Sequence, residues 1–178
     1  MRFRQNFNMD LGSLKSVYFV GIGGIGMSSL ARFFHALGKN VGGYDKTQTS
    51  LTDELVQEGI DVHFDDRYNN LDSRYLDKNS CLIVFTPAIP KDHGELNYFL
   101  KNDFNVMKRS AVLGLITKNH FTIAVAGTHG KTTTSSMIAH ILRASGINCT
   151  AFLGGISKNY SSNLLLAQDG FKECRRGR

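Results

Sequence analysis

Short apolar runs alternate along this chain with longer stretches in which apolar residues recur every three or four positions. Ser16–Ile22 reads as a buried strand, because Val17, Tyr18, Phe19 and Val20 are β-branched or aromatic in succession. Ile25–Leu37 carries Met27, Leu30, Ala31, Phe34 and Leu37 at helical spacing, and Gly38 supplies a C-terminal stop. Asn40–Asp45 predicts a second strand, Thr52–Glu58 a helix capped by Thr52, and Ile60–Phe64 a third strand. Cys81–Thr86 is a strongly apolar fourth strand, closed by Pro87 and Pro90. Glu95–Leu100 predicts a helix, Asn105–Met107 a strand and Ser110–Ile116 a helix. Strand and helix in alternation imply an α/β fold, a parallel sheet with helices on both faces.

The pattern then restarts. Phe121–Ala126 reads as an apolar strand, Lys131–Ala144 as a helix with Met137, Ile138, Ile141 and Leu142 on one face, and Cys149–Leu153 as another strand. We expect a domain boundary at Lys118–His120. It separates a Rossmann-like domain over residues 1–118 from the start of a P-loop α/β ATPase domain over 119–178. That second part, with about two strands and one helix, is too small to close a core alone.

Glycine marks both candidate sites. Gly21-Ile22-Gly23-Gly24-Ile25-Gly26 fits G-x-G-x-x-G between a predicted strand and a predicted helix. There, glycine lets backbone approach a pyrophosphate and free helix N–H groups bind its charge. Asp45 closes the second strand about 20 residues on, where an acid contacts a ribose hydroxyl in dinucleotide sites. By itself this motif fits an NAD-dependent oxidoreductase, another nucleotide site or a tight structural turn. Gly127-Thr128-His129-Gly130-Lys131-Thr132-Thr133 is more specific. Lys131 can reach β- and γ-phosphates, Thr132 can place its hydroxyl on Mg²⁺, and backbone N–H groups from Thr128 to Thr133 can cradle phosphate oxygens. The common spacing has an earlier glycine where this chain has Val125. His129 either touches phosphate or shapes the loop.

The pair of loops resembles the Mur ligases, and Val20 to Ser28 resembles the opening of their alanine-adding branch. Gly127 to Thr133 is similar to the family's ATP loop, and Thr86-Pro87-Ala88-Ile89-Pro90 and Lys108-Arg109-Ser110 are similar to segments that line its UDP-sugar site. The resemblance covers roughly residues 15–168. It implies UDP-sugar contacts at Gly21, Gly23, Gly24, Ile25, Gly26, Asp45, Thr86, Ala88 and Arg109. It implies ATP contacts at Gly127, Thr128, His129, Gly130, Lys131, Thr132 and Thr133, with Lys131 and Thr132 as the catalytic pair and Thr132 as an Mg²⁺ ligand. It further implies ATP and Mg²⁺ as cofactors and UDP-N-acetylmuramate and L-alanine as substrates. ATP would phosphorylate the muramyl carboxylate, and the alanine amine would displace phosphate from the acyl phosphate. Alternatives remain: a UDP-sugar- or nucleotide-binding fragment without catalysis, the related ligase that recycles murein tripeptide, and an oxidoreductase.

Three departures qualify the resemblance. Tyr18 stands where many alanine-adding members have His. The Glu-Ala-Asp-Glu string that supplies a further metal ligand in the family is missing. Members of the family also have three domains and are far longer than 178 residues. Phe171–Arg178 lacks strand character where the family has a valine-rich strand. Lys-Glu-Cys-Arg-Arg-Gly-Arg can be encoded so that a one-base shift reads Lys-Asn-Val-Val-Val-Val before an acid, so we expect a frameshifted or truncated chain.

Composition changes this picture little. Net charge is +6, but Phe171–Arg178 holds one Lys, three Arg and one Glu, which leaves the remainder only mildly basic. We therefore expect no nucleic-acid partner. No apolar run approaches membrane-spanning length, and no signal core follows Met1-Arg2-Phe3-Arg4. Cys81, Cys149 and Cys174 show no metal or disulfide spacing, so a cytoplasmic location with no membrane insertion is expected.

Overall fold

The computed structural model describes residues 10–67, 71–118 and 120–168. The signal-peptide reading over Met1–Arg4 and the tail reading over Phe171–Arg178 lie outside the described residues.

Five parallel strands form the main sheet: β1 (Ser16–Val20), β2 (Asn40–Tyr44), β3 (Asp61–His63), β4 (Cys81–Phe85) and β5 (Asn105–Lys108). Their order is β3-β2-β1-β4-β5, so the winding reverses between β1 and β4. In register, Val20 lies beside Tyr44 and Phe85. The helices are α1 (Ile25–Ala36), α2 (Ser50–Gln57), α3 (Gly94–Lys101) and α4 (Arg109–Thr117).

Side-chain alternation along β1 divides the core. Val17 and Phe19 face one side with Leu82, Val84 and Met107, under Leu30 and Phe34 of α1, Leu55 of α2 and Val112 of α4. Tyr18 and Val20 face the other with Ile83, Phe85 and Val106, under Leu96 and Phe99 of α3 and Tyr75. Both faces of the central strands are buried, which is why their sequences are apolar runs rather than alternating ones.

The cap of α2 is Thr49, not Thr52. Thr49 Oγ1 accepts from the Thr52 amide at 3.3 Å while Thr52 Oγ1 accepts from the Thr49 amide at 2.8 Å. This reciprocal pair moves the helix start toward Thr49 and places Thr52 at its third position.

The second part contains α5 (Lys131–Ala144) and an antiparallel hairpin of β6 (Ala151–Ser157) and β7 (Ser162–Leu165). The strand expected at Phe121–Ala126 does not form: the segment is irregular and Phe121 is 92% exposed. Among the described residues no strand pairs with it, and an isolated strand cannot satisfy its backbone groups. The hairpin packs on α1, where Phe152 meets Phe33 with ring centroids 5.3 Å apart.

Candidate functional site

The first glycine loop runs from β1 into α1 at the point where strand order reverses, the crevice in which open α/β sheets hold ligands. Gly21 has φ +90, and a Cβ there would lie 3.1 Å from both Thr86 and Ile89. The loop after β4 is therefore packed directly on the loop after β1. The Gly23 amide donates to Asp45 Oδ2 at 2.7 Å, and a Cβ at Gly23 would meet Thr52 at 2.8 Å. Asp45 is thus engaged in shaping the loop. Arg109, first residue of α4, brings Nη1 to within 2.8 Å of where a Gly26 Cβ would stand.

Helix α1 starts on Gly24 with no side-chain cap. Its first N–H groups, Ile25 and Gly26, have no acceptor within the helix. An open helix N-terminus beside a guanidinium is a seat for a phosphate or diphosphate. The structure brings together Gly21, Gly23, Gly24, Ile25, Gly26, Asp45, Thr86 and Arg109. Ala88 shares the β4 loop with Thr86, and its side chain is exposed.

The second loop is open to solvent from Ala126 through Thr134. Gly130 caps α5 at φ 76, a left-handed conformation that glycine adopts without strain, and no side chain caps the helix. The N–H groups of Lys131, Thr132 and Thr133 are left for an external acceptor. Lys131 Nζ donates to the carbonyls of Gly127 at 2.7 Å and Thr128 at 3.0 Å, which holds the cation over its own loop. Thr132 packs under β6: a Cβ at Gly154 would lie 2.8 Å from its Oγ1, and one at Gly155 3.3 Å from its Cγ2. His129 is exposed on the loop. These donors fit a polyphosphate. For a divalent metal, Thr132 offers one oxygen, and among the described residues no group of three or more His, Cys, Asp or Glu is placed to hold an ion.

Beneath the first loop lies a buried polar cluster. Tyr18 Oη donates to Glu95 Oε2 at 2.6 Å and stands 2.6 Å from His63 Nε2. Which of Tyr18 Oη and His63 Nε2 donates to the other follows from the tautomer of the imidazole. Glu95 Oε1 is 3.2 Å from the same nitrogen. Burial pushes the Glu95 carboxyl up to about 7, raises Tyr18 far above its ordinary value, and lowers His63 and His93.

Residues 16–121 match the family described as the Mur ligase family, catalytic domain, and residues 125–174 match the Mur ligase middle domain. The chain belongs to the Mur ligase family. Among curated Mur ligases it is similar to the UDP-N-acetylmuramate--L-alanine ligase of Flavobacterium johnsoniae, 55% identical over 88% of this chain and 35% of that protein. The corresponding ligase of Porphyromonas gingivalis is 56% identical over 86% of this chain and 34% of its own length. The chain therefore spans about a third of the length of these relatives.

Two solved structures share the fold. The UDP-N-acetylmuramate-alanine ligase of Thermotoga maritima has a TM-score of 0.73 at 32% identity, covering 85% of this chain and 35% of that one. The UDP-N-acetylmuramate:L-alanyl-gamma-D-glutamyl-meso-diaminopimelate ligase of Neisseria meningitides has a TM-score of 0.78 at 27% identity, covering 87% of this chain and 47% of that one.

In this Mur ligase chain, sequence reading missed two groups. Tyr18 was visible only as a departure from the family's histidine, yet it is the hydroxyl at the centre of the Glu95–His63 cluster. Asn163 and Arg32, which tie the hairpin to α1 through a hydrogen bond of 2.7 Å, were not singled out. Arg32 had a faint signal in Glu54 of α2 and Glu58 at its C-terminal cap, four apart, which both bind it. Asn163 had none.

Proposed function

We propose that this chain forms the UDP-sugar-binding and ATP-binding part of an ATP-dependent ligase that joins L-alanine to UDP-N-acetylmuramate through an acyl phosphate. The division between the two parts falls near Lys118–His120. The observation that carries the reading is the uncapped start of α1, with Arg109 against Gly26, in the same chain as a Gly-Lys-Thr loop at the uncapped start of α5.

At the first loop, the N–H groups of Ile25 and Gly26 and the Arg109 guanidinium would take the diphosphate of the UDP-sugar. Thr86 and Ala88 line the adjoining loop, and Asp45 holds Gly23 in place. The Gly-Lys-Thr loop in the same chain, which a redox enzyme would leave unexplained, favours a UDP-sugar over NAD here. At the second loop, Gly127 to Thr133 would cradle the triphosphate. Lys131 would release its two carbonyls and neutralise charge on the transferred phosphoryl group, and Thr132 would contribute to Mg²⁺, which shields phosphate charge when bound. Positioning and charge stabilisation supply most of the rate in such transfers. The cytoplasm, where the nucleotide substrates are available, is the proposed location.

The diaminopimelate-containing ligase resemblance rests on fold at 27% identity, whereas curated alanine ligases reach 56%, which favours alanine. For the 178 residues alone, binding without turnover is the expected behaviour. Isothermal titration of the chain tests this: UDP-N-acetylmuramate binds, Mg-ATP binds weakly or not at all, and no alanine-dependent phosphate is released. NAD binding more tightly than the UDP-sugar would overturn the reading of the first loop.

A further inference from the structure

The hairpin of β6 and β7 stands between the two loops. Its β6 strand lies against Thr132 through Gly154 and Gly155, and against α1 through Phe152 on Phe33. On β7, Asn163 is fully buried, at 0% exposure, and its amide group is saturated. Nδ2 donates to the Ile25 carbonyl at 2.7 Å and to Ser28 Oγ at 2.8 Å. Oδ1 accepts from Arg32 Nη1 at 2.7 Å. Arg32 is fixed in turn by Glu58, at 2.8 Å from Nε and 2.7 Å from Nη2, and by Glu54 at 2.9 Å. With both its N–H bonds and its oxygen used, the amide has one orientation only.

The Ile25 carbonyl belongs to the same peptide unit as the Gly26 N–H. In a helix the two ends of a peptide point in opposite directions along the axis. Asn163 therefore grips the carbonyl end of the peptide whose N–H end opens into the seat beside Arg109. A hydrogen bond to the carbonyl also polarises the N–H and makes it a stronger donor.

We propose that Asn163 is a positioning residue for the first phosphate loop, aiming the Gly26 N–H at a nucleoside diphosphate from a hairpin whose other strand packs against Thr132 of the second loop. This rests on the reading of the first loop as a diphosphate seat. It gives a purpose to an amide buried between α1 and β7 with each of its polar atoms bonded to α1. It also makes the geometry of the first site depend on a residue 138 positions away from Ile25.

The test uses the whole chain and two probes, UDP and uridine. Asn163→Leu keeps the volume and adds no charge near the seat, but cannot donate to the Ile25 carbonyl. We expect the affinity for UDP to fall about tenfold while that for uridine is unchanged, the effect of one lost hydrogen bond to a polarised group. A general loosening of the fold would lower both together, and that result, or no change in either, overturns the inference. If Asn163→Leu does not fold, Asn163→Ser leaves the Ile25 carbonyl with Ser28 Oγ, at 3.1 Å, as its side-chain donor and is read in the same way. Should the parent chain bind neither probe, the diphosphate reading itself fails. The ligand-free amide resonance of Gly26 then decides the positioning claim: it shifts in the variant if Asn163 sets that peptide and stays in place if it does not.

Discussion

At the scale of single residues, Glu95 and its neighbours set the pH response of the fold. The Glu95 carboxyl is buried on α3, so its folded value is about 7 against an ordinary 4.5. Between those values the folded chain keeps a proton that the unfolded chain has lost. Its contribution to stability is complete below about pH 4.5 and is lost as pH rises through about 7. His63 and His93 run the other way, because burial lowers both. Their contribution is present above the ordinary value of 6.5 and is lost as pH falls through their folded values. Glu95→Gln removes only the first of these effects while keeping an acceptor for the Tyr18 hydroxyl. The stability of the variant relative to the parent should rise steadily from pH 4.5 to 7 and level off above. Urea unfolding at several pH values measures it, and parallel profiles for the two proteins would show that Glu95 carries no raised value.

At the scale of elements, the close approach of β1 and β2 depends on Gly43. A Cβ there would collide with the Phe19 backbone carbonyl, which cannot move without breaking the pairing of Phe19 with Gly43 and Val84. Gly43→Ala should destabilise the chain by about 1–3 kcal/mol or more, as overpacking against rigid backbone does, and thermal unfolding reads it directly. β1 and β4 were legible as unbroken apolar runs, Val17–Val20 and Cys81–Phe85, whereas β2, β3 and β5, with one or two apolar residues each, were legible from their place between helical stretches. Both loops were legible as turns that open a helix, because Gly21 and Gly130 take the left-handed conformations that glycine permits. Phe121–Ala126 was misread for the same reason that the others were read well. Its sequence has strand character, but pairing is supplied by neighbours, and none of the described residues provides it. The start of α2 was displaced because Thr49 and Thr52 are both capping residues, and only the reciprocal bonds between them tell which one caps. Asn163 escaped notice because its meaning lies entirely in tertiary contact: nothing in Ser162-Asn163-Leu164 points to α1.

At the scale of the whole molecule, the two parts differ in how well they bury their apolar surface. The first encloses two clusters on either side of its sheet. The second has a small cluster of Ala139, Leu153 and Leu165, and leaves Ile123, Met137, Ile141 and Ile147 more than half exposed. Met137 and Ile141 lie four apart on α5, a spacing that marks a face meant to be covered. The curated relatives continue for about two-thirds of their length beyond the share this chain matches. Joining residues 1–168 to that remainder of the Flavobacterium johnsoniae ligase should therefore protect the amides of residues 121–126 and of α5 from hydrogen exchange. The same chimaera should release phosphate in an L-alanine-dependent reaction, because the second loop would then have a sheet behind it and the family's remaining groups in front. Lys131→Ala in that chimaera should lower the rate by about 10²–10³, the usual loss when a preorganised charge is taken from a transition state. A chimaera that folds and protects α5 yet turns over equally well without Lys131 would remove this loop from the chemistry, whatever the first loop binds.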